Sequence, residues 1–223
     1  MMYEGFLGDI PFTVKGLNIS DLQRIEELQH FVIAALPDNN ILQPLSREEL
    51  QNILDGNGLM IGAFVEERLI AFRALLVPKV NEDEHLGVDI AASDLSRVLY
   101  QEISNVHPDF RGFGLQKVLA NIIMLQVDVS KFDWVCATVM PYNVASLKDK
   151  FAQGMQIFAL KYKYGGKLRY VFAKSLGAES VHSSEPVFVS MGEVEAQQEL
   201  LKNGYFGVAM EKRADDWFVE YRK

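Results

Sequence analysis

From residue 18 to 36 the chain reads NISDLQRIEELQHFVIAAL, with Leu22, Ile25, Leu28, Val32 and Ala35 recurring every three or four positions. That spacing draws one apolar stripe along a helix, and Ser20 with Gln23 stands at capping-box spacing near its start. PLSREELQNIL repeats the signature with Ser46 and Glu49 and predicts a second helix. The period then changes. GLMIGAFVEERLIAFRALLVP (58–78) holds two runs rich in strand formers around the polar turn EER, which predicts a hairpin. NEDEH (81–85) is a solvated loop by composition, and SRVLYQEISNVHP (96–108) is a strand ended by Pro108.

Next come a glycine-containing loop and an apolar-striped helix over 115–127, then the strand FDWVCATVM (132–140). PYNVASLKDKFAQGM predicts a short helix with Asn143 as N-cap and Gly154 as stop. QIFALKYKYGGKLRYVFAKSL (156–176) predicts two strands joined at Gly165 and Gly166. A polar linker, GAESVHSSEP (177–186), marks a composition shift, and the tail beyond it reads as strand, helix, strand, strand, with Gly204 stopping the helix. The chain shows no internal repeat and no low-complexity segment. Helices interleaved with mostly antiparallel strands give an α/β (α+β) class, with a main domain over 1–176 and a C-terminal extension over 177–223.

Composition narrows the function classes. The chain has 223 residues, 49% hydrophobic and 23% charged, a size for one domain or one domain with an appendage. A formal net charge of −8 argues against non-specific nucleic-acid binding, which needs clustered Lys and Arg to displace counterions. The single cysteine, Cys136, can form no internal disulfide and sits in an apolar strand, the setting of a buried structural thiol. His30, His85 and His182 show no metal-ligand spacing among themselves or with carboxylates, so no metal is expected. No apolar run approaches the ~20 residues of a membrane span. MMYEGFLGDIPF lacks the basic-then-apolar pattern of a signal peptide. A cytoplasmic protein without a membrane partner is expected.

The chemistry concentrates in HPDFRGFGLQ (107–116). A helix start leaves four backbone N–H groups unpaired and carries partial positive charge, so it suits an anion. Gly112 and Gly114 would bare those amides, and Arg111 adds a permanent charge. Taken alone, the stretch reads equally as a tight turn. It is neither a P-loop, since no G-K-[ST] follows, nor the dinucleotide fingerprint, whose third glycine is missing. NVHPDFRGFGLQ resembles motif A of the GCN5-related N-acetyltransferases (GNAT), a [QR]-x-x-G-x-[GA] loop after the fourth strand. Arg111 and Gly114 match it, and Gln116 replaces the last small residue. VMPYNVASLKDKFAQGMQI resembles motif B, where an Asn opens a helix and a Gly-Phe pair follows. Asn143 and Gly154 fit, with Met155 in place of the aromatic. The element order over residues 10–176 also fits that family's, about four fifths of the chain.

The resemblance implies the GNAT fold and transfer of an acetyl group from acetyl-CoA, the cosubstrate, to a primary amine of a small molecule or protein. It assigns Arg111, Gly112, Phe113, Gly114, Leu115 and Gln116 to the cofactor pyrophosphate, through backbone amides. Backbone near Asn105 and Val106 would pair with the pantetheine amides, where the family's fourth and fifth strands splay, as in strand addition. Asn143 would hydrogen-bond the cofactor arm, with Ser146 toward its nucleotide end. Glu102 is the base candidate, since counting by twos puts it with Val98, Tyr100 and Val106, where a carboxylate pKa would rise. Many family members carry a Tyr seven residues after the motif-B Asn, and here that residue is Lys150, read as a solvated helix residue. Tyr142 and Tyr100 are the substitute acids by proximity. His107, before a proline, reads as structural. The missing tyrosine keeps a second reading open: a non-catalytic acyl-CoA-binding sensor or interaction module of the same fold. The acceptor pocket is expected from segments 30–46 and 79–97. A homodimer is one assembly the tail could mediate.

Overall fold

The computed structural model describes residues 2–36, 43–177 and 183–223. Parts of the expected linker (178–182, with His182) and of the expected acceptor segment (37–42) lie outside the described residues. The chain divides into two compact units, Met1–Val77 with Tyr100–Asp128, and Pro78–Leu99 with Val129–Lys223. The α/β class holds, with antiparallel sheet structure flanked by helices.

In the first unit the strands run in the order β1 (Tyr3–Leu7), β2 (Ile10–Gly16), β3 (Gly58–Val65), β4 (Arg68–Leu76) and β5 (Val98–Val106, of which Tyr100 onward belongs to this unit). Every neighbouring pair is antiparallel. The opening hairpin escaped the sequence reading. Its turn is Gly8–Asp9, with Gly8 at φ 63°, a conformation glycine adopts without strain. Helix α1 (Leu22–Ala34) follows a 3-10 turn, and the capping box lies two residues earlier than expected, on Asn18 and Asp21. The box on Ser46 and Glu49 opens α2 (Arg47–Asn52) as the spacing predicted.

Pleating sorts the side chains of β4 to two faces. Phe72 and Ala74 join Ile103 and the buried stripe of α1 (Leu22, Ile25, Leu28, Val32) in one core. Arg73, between them, points the other way, toward α4 (Leu115–Met124), which packs on β3 and β4 through buried residues including Leu119 and Ile123.

The second unit holds α3 (Leu86–Asp89), β6 (Trp134–Val139), α5 (Val144–Ala152), β7 (Gln156–Lys163), β8 (Lys167–Ser175), β9 (Val187–Ser190), α6 (Val194–Lys202), β10 (Phe206–Arg213) and β11 (Asp216–Arg222). Among the described residues its strands run β6-β8-β7-β10-β11-β9, antiparallel at every step. The C-terminal strands thus continue a sheet begun by β6 to β8. Asp89 of α3 is paired with Lys161 at 2.6 Å and the buried Lys163 at 2.7 Å.

The backbone of this unit overturns the expectation of no internal repeat. The run β6-α5-β7-β8 recurs as β9-α6-β10-β11, with both helices and both third elements displaced by fifty residues. Gly154 (φ 72°) and Gly204 (φ 79°) stop the two helices, and Tyr164 (φ 52°) and Ala214 (φ 49°) open the two hairpin turns. A β-bulge falls between Ile157 and Ala159 in one copy and between Gly207 and Ala209 in the other.

Candidate functional site

β5 ends at Val106, and His107 begins a 3-10 turn over Pro108–Phe110. Arg111 follows in extended conformation, then Gly112 at φ 85° and Gly114 at φ 76°, ψ 13°, both left-handed. Gly114 is the N-cap of α4, and no side chain caps it. The first helical bond is made by the Val118 N–H to the Gly114 carbonyl, at 3.1 Å. The amides of Gly114, Leu115, Gln116 and Lys117 therefore have no acceptor inside the helix. A Cβ built on Gly112 or Gly114 would meet nothing within 4 Å, so the glycines keep open space above those amides. Phe113 is exposed and Leu115 is buried. The loop can present bare N–H groups and a helix dipole to an anion.

Arg73 was not singled out from the sequence. Its guanidinium is almost fully buried, donating to the Gln116 carbonyl at 3.3 Å and to Gln101 Oε1 at 2.7 Å. It ties the first turn of α4 to the sheet and puts a cation beneath the anion-suited loop. The signal was present as a lone charge inside the apolar strand LIAFRALL.

On β5 the pairing with β4 slips at Glu102: Ala74 stands opposite Ile103 and Leu75 opposite Gln101. Glu102 is the extra residue of a β-bulge, a feature that re-aims side chains and gathers next to active sites. The count by twos that grouped it with Val98, Tyr100 and Val106 is interrupted there; the side chain is half-buried. Val106 and Asn105 are buried, and Asn105 is 1% exposed. Neither the Asn105 amide nitrogen nor its oxygen has a hydrogen-bond partner among the described residues, and the Ser104 hydroxyl lacks one as well.

His107 keeps the structural part expected of it. Arg68 approaches its Nε2 at 2.6 Å, and Phe31 and Phe110 pack on the ring. Burial, then the Arg68 charge, lowers its pKa and keeps the ring neutral.

The second unit carries the other predicted residues. Asn143 caps α5, its Oδ1 accepting from the Ser146 N–H at 3.3 Å, and both side chains are half-buried. Tyr142 adopts φ 64° and donates its hydroxyl to Asp216 Oδ1 at 3.3 Å. Burial, then the Asp216 charge, raises its pKa, so the phenol stays protonated at neutral pH. Asp216 also accepts from the Ser190 hydroxyl at 2.5 Å and from the Trp217 N–H at 2.7 Å. This contact to the C-terminal copy was invisible to sequence. Lys150 corrects an expectation: it is buried, not solvated, with Nζ 3.2 Å from Asp149 Oδ2. Cys136 is fully buried, and burial pushes its thiol up to about 12, an inert structural setting.

Glu102, Asn105, Val106 and the loop 111–116 thus lie in the first unit, and Tyr142, Asn143 and Ser146 in the second. Among the described residues no three His, Cys, Asp or Glu side chains gather so as to hold a metal ion. No helix among them is long and apolar enough to cross a membrane.

No protein-family model matches the sequence, and no curated protein matches it. Solved structures do. Arabidopsis thaliana NAA60 in complex with acetyl-CoA superimposes with a TM-score of 0.56 at 18% identity, over 75% of this chain and 99% of that one. A GNAT-family acetyltransferase from Streptococcus pneumoniae gives 0.55 at 15% identity, over 74% and 99%. The ribosomal-protein-S18-alanine N-acetyltransferase from Escherichia coli gives 0.53 at 13% identity, over 78% and 99%. Nearly the whole of each of these proteins is thus matched by about three quarters of this chain, which has the fold of the GNAT acetyltransferases.

Proposed function

We propose that the protein is an acetyl-CoA-dependent N-acetyltransferase of the GNAT family, acting on a primary amine of a small molecule or protein. The observation that carries this reading is the uncapped start of α4 behind Gly112 and Gly114, with open space above its amides. Arg111 to Gln116 is the pyrophosphate cradle, and Arg73 adds charge from beneath. Asn105, Val106, Asn143 and Ser146 complete the proposed cofactor-binding set. NAA60 has been seen with acetyl-CoA, which supports that donor for this chain.

The acceptor amine must lose a proton, since an ammonium has no lone pair. Its nitrogen then bonds to the thioester carbonyl carbon, the C–S bond breaks, and the thiolate takes up a proton. Glu102 is the proposed base, acting directly or through a water. Tyr142 is the proposed acid, protonated at neutral pH as its raised pKa requires. The hydrogen it holds on Asp216 would have to turn to the thiolate.

One observation favours a second reading, an acyl-CoA-binding sensor without turnover. The position where many family members carry a tyrosine is the buried Lys150, and Tyr142 is engaged with Asp216. Two measurements separate these readings. Acetyl-CoA at a hundred times its Kd should stabilise the fold by about 2.7 kcal/mol, and no melting shift at millimolar concentration sinks both. Thiol release over a panel of amines then tells enzyme from sensor. Glu102→Gln should cut turnover and leave cofactor affinity nearly intact; unchanged turnover removes Glu102 as the base.

A further inference from the structure

The two copies in the second unit are placed as the halves of a dimer. Read from either end, β6-β8-β7-β10-β11-β9 gives the same succession of equivalent strands. The central pair joins Ile157 to Gly207, themselves equivalent at a displacement of fifty residues. A local two-fold axis therefore passes through that pair, the arrangement of an isologous interface. Each helix crosses the seam: α6 packs on β7 and α5 packs on β10. Gln198 donates across it to the Leu160 carbonyl at 2.9 Å.

The interiors of the halves are not alike. Leu147 in α5 and Gln197 in α6 are equivalent and both fully buried. Phe172 in β8 and Tyr221 in β11 are likewise equivalent, through their partners Ile157 and Gly207, and likewise buried. Gln197 Oε1 accepts from Tyr170 of the first half at 2.7 Å and from Tyr221 of its own half at 2.8 Å, and its amide donates to the Met191 carbonyl at 3.0 Å.

We propose that β7 is a self-pairing edge, and that residues 187–222 are its tethered partner, closing it to a second copy of the chain. The buried Tyr170–Gln197–Tyr221 set makes the choice. If β7 paired with β7 of another molecule in this geometry, a Leu147 would stand where Gln197 stands. Tyr170 would then be buried without an acceptor, and symmetry would repeat the fault. Stranding a buried hydroxyl carries its full desolvation penalty. Tethering makes the pairing intramolecular, which raises the effective concentration of the partner half. Both effects favour the tandem copy over a like one.

The test is the mass of the full-length chain by sedimentation equilibrium. Tyr170→Phe in the first half, with Gln197→Leu and Tyr221→Phe in the second, removes the polar set and leaves both interiors apolar. That variant should exchange halves between molecules, doubling its mass relative to the wild type in a concentration-dependent way. Gly207→Val provides an independent route. Its Cβ would meet Ile157 at 2.9 Å and Val219 at 3.0 Å, loosening the seam while leaving the Tyr170–Gln197–Tyr221 set unchanged, and it should also associate. The proposal is overturned if either variant melts cooperatively yet keeps the wild-type mass at every concentration. It is equally overturned if wild-type amide exchange at Ile157 to Leu160 slows as concentration rises, since β7 would then already pair with a second molecule.

Discussion

Asn105 offers a test in which stability and function should move in opposite directions. It lies on the face of β5 shared with Ile103, which belongs to the core under α1, and with His107, which Phe31 covers. Both polar atoms of its amide are buried and unpaired among the described residues. An unsatisfied buried polar group costs about 1–3 kcal/mol, and replacing it by an apolar group removes that cost. Valine suits a strand and is close enough in size to limit overpacking. Asn105→Val should therefore stabilise the protein by about 1–3 kcal/mol. For a chain of this length that is a rise in Tm of roughly 2–4 °C per kcal/mol. If, as proposed, the amide serves a ligand, acetyl-CoA affinity and thiol release should fall, the usual exchange of stability for activity. Calorimetry and a thiol-release assay read the two arms. A lower Tm would show that the amide is satisfied in solution, and a higher Tm with full activity would show that no ligand needs it.

Four further outcomes follow from the structure. Gly114→Val must hold a β-branched residue at φ 76°, a strain of about 1–2 kcal/mol, and should abolish acetyl-CoA binding by calorimetric titration while the fold survives, since no atom lies within 4 Å of the new Cβ; Phe113→Ala, which leaves the amides in place, should bind as wild type. Arg73→Met removes the buried hydrogen bonds to the Gln116 carbonyl and Gln101 Oε1, each worth about 1.5–3 kcal/mol for a charged donor, so Tm and acetyl-CoA affinity should fall together; a change in Tm alone would confine Arg73 to packing. Asp216→Asn removes the charge beside the Tyr142 hydroxyl and should lower the Tyr142 pKa, followed by NMR of labelled tyrosine; an unmoved titration would deny the contact. His85 and His107 both have folded pKa values lowered chiefly by burial, so the unfolded chain binds their protons first, and stability to urea should fall as pH drops below about 6.5; a flat profile from pH 7.5 to 5 would refute the neutral assignments.

Features that act through the backbone were legible wherever glycine, proline or a capping side chain marks them. Pro108 ended β5, the Ser46–Glu49 box opened α2, Asn143 capped α5 and Gly154 stopped it. Gly112 and Gly114 took the left-handed conformations that a cradle at a helix start requires. Features that depend on register or on distant partners were hidden. The bulge at Glu102 leaves no composition mark, so a count by twos ran straight through it. Asp216 meets Tyr142 across 74 residues, and Arg73 meets Gln116 across 43. The repeat stayed hidden because its two copies share backbone conformation but not side chains. The turn Gly165–Gly166 shrinks to Asp215, and the buried Leu147 and Phe172 become Gln197 and Tyr221.

Those two differences bear on what sets the second half apart from the first. A like half would carry a second apolar interior, and only the tether would then distinguish the tandem partner from the same half of another molecule. Placing Gln197 where Tyr170 can reach it makes the pairing directional, at the cost of a buried polar set that is stable only when every member is satisfied. The copy also brings Ser190 and Asp216 to Tyr142, beside the Asn143 cap, and lays the Trp217 ring within 5.2 Å of the Lys148 ammonium on α5. The left-handed Tyr142 costs energy unless its surroundings hold it, and Asp216 does so from a segment outside the proposed cofactor-binding set. Closing β7 and bracing the start of α5 are thus served by one module. Damage to its polar interior should reach Tyr142 before it reaches the glycine loop, which belongs to the other unit.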